Sequence, residues 1–155
     1  MTEITTNKRL LHDYQILEKY EAGIKFSGSE VKTVKKGQID IKGSYITLKT
    51  NVKTHRLEAW LIGTRIPKYA KSGYSQNNYN PSKNRKLLLN QAELKTLTGK
   101  AQQKGLTLLP LSVYTTPHRL IKLTLILAKG KKKADKRELL KKREFTRRKQ
   151  RLQHH

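Results

Sequence analysis

Apolar side chains along this chain recur mostly at every second position, the period of a half-buried strand. Tyr14, Ile16, Glu18 and Tyr20 alternate with Gln15, Leu17 and Lys19 ahead of Glu21-Ala22-Gly23, and Ile24 and Phe26 resume the period afterwards. That reads as a strand, a tight turn over the Glu-Ala-Gly triplet, and a strand. Tyr45 to Leu48 and Leu57 to Ile62, split by a polar stretch, predict a hairpin, and Leu87 to Leu89 is a short apolar run. The clearest β signal lies further on. Leu106 to Tyr114 carries a strand ending near Pro117, and Ile121, Leu123, Leu125 and Leu127 alternate with Lys122, Thr124, Ile126 and Ala128.

Two segments carry helix signals instead. Ser27 precedes Glu30 by three residues, a capping-box spacing, and Gly37 follows Val31, Val34 and two lysines. Asn90 and Glu93 repeat the device ahead of Leu94, Leu97 and Ala101, with Gly105 as the stop. Several short strands with only two substantial helices predict a mainly β fold, a small OB-like barrel with helices on its flank. Gly63 to Arg85 fits neither period. Its Tyr69, Tyr74 and Tyr79 are interleaved with Arg65, Lys68, Lys71, Lys83 and Arg85, a mixture that suits base stacking with phosphate contacts or, equally, a solvated loop.

Charge changes the picture most. The 155 residues hold 35 Lys and Arg against 11 Asp and Glu, a formal net charge of +24, far above the roughly 2 to 8 that suffices for solubility. A polyanion partner, nucleic acid or an anionic membrane, would offset the self-repulsion. The charge divides in two. Residues 129–155 carry 13 basic and 3 acidic residues, net +10, with only Ala134, Leu139, Leu140, Phe145 and Leu152 apolar, so residues 1–128 form the folded domain and 129–155 a basic tail. Asp135 and Glu138 have N-cap spacing, but the tail lacks an apolar stripe. Free, it is expected to be disordered; on an RNA surface that removes the repulsion, it is expected to be helical.

Other classes of function find little support. There is no apolar run of about 18 residues and no h-region near the N-terminus, which predicts a cytoplasmic protein without a membrane role. With no cysteine, thiolate zinc sites are absent, and no metal constellation or phosphate-cradling glycine loop stands out, so no cofactor is expected. His12-Asp13 is the only local His/carboxylate pair, and neighbours in sequence usually point apart, so no enzyme is expected. RNA is favoured over duplex DNA, because an OB-like barrel lacks a protruding recognition helix. Glu21 is a carboxylate amid basic residues; it either accepts from a base edge or pairs with Lys19 or Lys25.

The residues also spell a familiar order. NKRLLHDY (Asn7 to Tyr14), EAGIKFSGSEVKTVKKG (Glu21 to Gly37), SYITL (Ser44 to Leu48), NRKLLLN (Asn84 to Asn90), KGLTLLPLSVY (Lys104 to Tyr114) and AKGKKKADKRELLKKRE (Ala128 to Glu144) resemble the small protein B (SmpB) family of bacterial tmRNA partners. The resemblance implies an oval antiparallel β-barrel related to the OB-fold. It implies binding to the tRNA-like domain of tmRNA, delivery of alanyl-tmRNA to stalled ribosomes in trans-translation, and functional links to alanyl-tRNA synthetase and elongation factor Tu.

RNA-contacting roles carry over to Glu21, Leu88 and Lys122, with Arg85, Lys86 and Lys129 beside them. In the tail, Lys131, Lys132, Asp135, Lys136 and Arg137 carry over as the element that meets small-subunit rRNA at the decoding centre and enters the empty mRNA channel. Two departures stand out. Ala134 occupies the place where many members have a histidine, and Lys83 replaces an arginine of the family pattern, which removes a bidentate contact. A constitutive ribosomal or ribosome-assembly protein is the alternative reading of a basic β domain with a basic tail.

Overall fold

The structure is a computed structural model, and residues 2–70 and 78–131 are described here. Its elements are β1 (Thr2–Thr6), α1 (Arg9–Asp13), β2 (Tyr14–Ile24), α2 (Gly28–Lys35), β3 (Tyr45–Thr50), β4 (Leu57–Ile62), β5 (Arg85–Leu88), α3 (Gln91–Ala101), β6 (Leu106–Thr115) and β7 (Ile121–Gly130). Both capping boxes form. Ser27 Oγ accepts from the Glu30 N–H at 3.2 Å while Glu30 Oε1 accepts from the Ser27 N–H at 3.0 Å, and Asn90 and Glu93 do the same for α3. Gly37 and Gly105 follow these helices at positive φ, where a side chain would be strained.

The strands form one antiparallel sheet in the order β1-β6-β7-β2-β5-β4-β3. The expected mainly β fold and the β3–β4 hairpin are present, but the sheet does not close into a barrel. Its ladder stops at β1 and β3. Where β3 approaches β6, α3 lies against the gap, with Thr98 and Ala101 beside Ile46, Leu48, Leu106 and Leu108. Leu61, Leu87, Leu97, Val113, Leu123 and Leu125 fill the enclosed core.

Two bulges decide what the outer face displays. Registers shift between Ile16 and Glu18 on β2 and between Pro110 and Ser112 on β6, so Leu17 and Leu111 are the extra residues. Beyond the β6 bulge, Ser112 and Tyr114 line up with Thr124 and Lys122. Before it, Leu109 and Leu111 join Ile126 and Ala128 in a second apolar cluster covered by Leu10, Tyr14 and Ile16. That cluster explains why Ile126 and Ala128 are apolar although they alternate with the core positions. The helix α1 and strand β1 have no counterpart in the sequence expectations; both are short, and the polar β1 offers no apolar alternation to read.

The expected tight turn at Glu21-Ala22-Gly23 is corrected by the structure. β2 runs straight through it, pairing Glu21, Ala22 and Gly23 with Thr124, Leu123 and Lys122. Gly23 serves close packing instead: a Cβ there would stand 3.2 Å from Leu88 Cβ. The strand β7 also continues past residue 128, since Lys129 pairs with Gln15 and Leu106 and the Lys131 N–H donates to the Asp13 carbonyl at 3.0 Å.

Candidate nucleic-acid interface

Register alone brings three of the expected contact residues together. Gly23 pairs with Leu88 on one side and Lys122 on the other, so Leu88, Gly23, Lys122 and Tyr114 form one row across β5, β2, β7 and β6. Leu88 is 52% exposed, an unusual display for a leucine in a strand. Gly23, without a side chain, is the floor between Leu88 and Lys122. Ile24, Phe26, Val31, Leu120 and Arg119 complete a cleft of about 490 Å³. Its base is apolar and its rim carries two cations.

Glu21 lies two residues from Gly23, on the same outer face, opposite Thr124. Neither Lys19 nor Lys25 pairs with it, and it makes no ion pair among the described residues. Its carboxylate lies towards Tyr114, whose buried hydroxyl has no hydrogen bond of good geometry among the described residues. Burial first, and then the nearby Glu21 charge, push the Tyr114 phenol up to about 12. Tyr114 is therefore held as a protonated phenol beside the exposed Glu21 side chain.

Arg85 requires a correction. Expected at the RNA surface, it is 2% exposed and points inward, because β5 alternates and Arg85 shares the inner parity of Leu87. Its Nε donates to Glu30 Oε2 at 2.7 Å, Nη1 to the carbonyls of Thr64 and Lys83 at 2.8 and 3.1 Å, and Nη2 to the Pro81 carbonyl at 3.0 Å and Tyr79 Oη at 3.1 Å. With every N–H engaged, it has none left for phosphate. Burial alone would raise the Glu30 pKa, but the Ser27 N–H, Arg85 and Lys83 together hold it below the usual carboxylate value. Lys83, at 3.2 Å from Glu30 Oε1, belongs to this cluster too.

The cluster also anchors both ends of the tyrosine-rich segment. Tyr79 Oη donates to the Ile66 carbonyl at 2.8 Å, and Lys32 and Lys36 lie 5.6 and 5.0 Å from the Tyr69 ring. Tyr74 and Lys71 lie outside the described residues.

The other expected residues are dispersed. Lys86 points outward but is bound to Glu58 at 2.8 Å, one row from Leu88. Lys129 is exposed at the far end of β7 from Lys122, a separation of about 23 Å at ~3.3 Å per residue. Lys131 is tied to α1 through its N–H and, at 3.2 Å, its Nζ to the Leu11 carbonyl. Lys132, Asp135, Lys136 and Arg137, with Ala134, lie outside the described residues. His12 and Asp13, expected to point apart, touch: Nδ1 and Oδ1 are 3.0 Å apart, with Arg9 on the other carboxylate oxygen. No group of three or more metal-ligating side chains occurs among the described residues, and no helix among them is long and apolar enough to cross a membrane.

The sequence reading missed Gly23, Phe26, Arg119 and Leu120 as parts of the cleft. Pro117 was the available signal for the last two. Behind it the β6–β7 turn puts Arg119 at φ 64, held by its N–H to the Thr116 carbonyl at 2.9 Å, and leaves Leu120 58% exposed.

An antiparallel sheet that displays leucines and lysines beside an exposed carboxylate has the kind of surface on which β domains bind nucleic acid. The chain matches the family model for SmpB protein over residues 4–155. It is 42% identical over 148 residues to the SsrA-binding protein of Thermosipho melanesiensis, covering 96% of this chain and 95% of that one. It is 44% identical over 149 residues to the SsrA-binding protein of Syntrophobacter fumaroxidans, covering 96% and 87%. Among solved structures it resembles a chain described as "tmRNA-SmpB: a journey to the center of the bacterial ribosome", with TM-score 0.63 and 43% identity over 83% of this chain and 85% of that one. The chain belongs to the SmpB family.

Proposed function

We propose that this chain is a tmRNA (SsrA RNA) binding protein of trans-translation, which grips the tRNA-like domain with the Leu88–Lys122 face and carries it to stalled ribosomes. The observation that carries the reading is the row Leu88-Gly23-Lys122 with Glu21 beside it. Seated over Gly23, which has no side chain to push it away, the exposed Leu88 is held beside Lys122. Leu88 packs against the exposed sugar or base faces of a folded loop, Lys122 meets phosphate, and Glu21 accepts from an exocyclic amino or 2′-hydroxyl group.

The basic tail has a separate task. Its net +10 suits a channel lined by rRNA, where ordering about 1 to 2 kcal/mol of backbone entropy per residue is offset only if mRNA is absent. Folding there would report on channel occupancy.

The two tasks are separable by truncation. A chain ending at Lys131 keeps β7 whole and the contact to Asp13. It should bind tmRNA with nearly full affinity and fail to support peptide tagging on stalled ribosomes. Loss of tmRNA binding as severe as the loss of tagging would contradict the division. Sequencing the RNA that co-purifies with the full chain separates this reading from a constitutive ribosomal protein, which would bring down all ribosomes and no enriched small RNA.

A further inference from the structure

Trp60 is the only tryptophan in the chain, and it stands on the outer face of β4, half-buried, one strand away from the cleft described above. In register it lies between Thr47 on β3 and Lys86 on β5, and the Lys25 N–H donates to the Lys86 carbonyl at 2.9 Å on the next strand. Lys49 Nζ lies 4.7 Å from the centroid of the indole. The indole Nε1 is shielded from solvent and has no acceptor among the described residues, so packing and Lys49, rather than a hydrogen bond, set the ring's position.

A cleft of about 360 Å³ opens beside it, lined by Trp60 with Lys25, Phe26, Asn84 and Lys86. Phe26 lines the Leu88–Lys122 cleft as well, so the two clefts share a wall. The carboxylates at the margin are already neutralised, Glu58 by Lys86 and Glu30 by Arg85 and Lys83. Lys25 and Lys49 are exposed, and neither forms an ion pair within 4 Å among the described residues.

We propose that the outer face of β3–β5 is a second RNA subsite, continuous with the Leu88–Lys122 cleft, in which an unpaired base of the same RNA stacks on Trp60 while Lys25 and Lys49 hold its flanking phosphates. The proposal rests on the RNA-binding reading of the neighbouring cleft. A cation over an indole marks a π-face open to a ligand, and an ammonium displaced by an arriving base moves to the phosphate that comes with it. The strand spacing of about 4.8 Å places this site within one or two nucleotides of the first.

Because the chain has one tryptophan, its emission reads the site directly in the unmodified full-length protein. The probe is a transcript of the tRNA-like domain of tmRNA carrying a fluorophore on one end, titrated with anisotropy and Trp60 emission followed together. The expected result is quenching that saturates at the same RNA concentration as the anisotropy. Replacing Trp60→Leu should weaken binding by roughly 5- to 150-fold, the range for one lost base stack, with Trp60→Phe keeping most of the affinity. Lys25→Ala and Lys49→Ala should each lower the log–log salt slope by about 1. If anisotropy reports binding while Trp60 emission and the Trp60→Leu affinity stay unchanged, the second subsite is wrong and the first cleft stands. If no RNA binds at all, both fall.

Discussion

Arg85 and Leu88 stand three residues apart on one short strand and have opposite fates. The arginine is buried with all its donors engaged, while the leucine is half exposed. Strand parity and the partners across the sheet decide the outcome, not the chemistry that makes arginine the commoner RNA contact and leucine the commoner core residue. The inner region uses charge as glue, tying α2, β5 and both ends of the 63–85 segment. The outer region leaves Lys122 without an ion pair among the described residues, beside apolar surface with no internal partner. A net charge of +24 therefore conceals two populations of cations with different work.

The comparison breaks if the two regions respond alike to substitution. Arg85→Met leaves the buried Glu30 with Lys83 as its one remaining cation, and should cost about 3 to 5 kcal/mol of stability in urea unfolding. RNA affinity measured on the remaining folded protein should be little changed. Leu88→Asp should do the reverse. It should lower tmRNA affinity at least tenfold, about 1.4 kcal/mol, with the unfolding free energy in urea changing by no more than about 0.5 kcal/mol.

Acid separates the regions in a third way. The folded-state pKa of Glu30 lies below its ordinary 4.5, so its contribution to stability is present above that value and is lost as pH falls through the depressed folded pKa. Unfolding measured from pH 5 downward should show this loss in the parent chain, and Glu30→Gln should remove that part of the pH dependence. The smallest expected effect on binding is that of Gly23→Ala. Its Cβ would crowd Leu88, shifting the leucine and weakening RNA binding less than Leu88→Asp, for a stability change of about 1 kcal/mol.

Much of this was legible in the sequence because it depends on local signals. The two capping boxes, the β3–β4 hairpin and the alternation of Ile121 to Leu127 follow from residues within a few positions of one another. The SmpB resemblance pointed to Glu21, Leu88 and Lys122, and the register explains their proximity. Other features depend on partners distant in sequence. Glu21-Ala22-Gly23 has turn composition, yet Gly23 is small to accommodate Leu88, 65 positions away. Arg85 looks like a surface cation until Glu30 is seen beside it, 55 positions away. That the ladder ends at β1 and β3, with β3 approaching β6 and α3 beside them, rests on packing among segments far apart in the chain, which no single segment encodes.

The central claim is that Lys122 is displayed for RNA and Arg85 is not. It is tested most directly by measuring tmRNA affinity of Lys122→Ala across a salt series, alongside its urea unfolding. The expected result is weaker binding, a log–log salt slope reduced by about 1, and an unchanged unfolding midpoint. Unchanged affinity and slope, or an unfolded variant, would contradict it and return Lys122 to the structural population that holds Arg85.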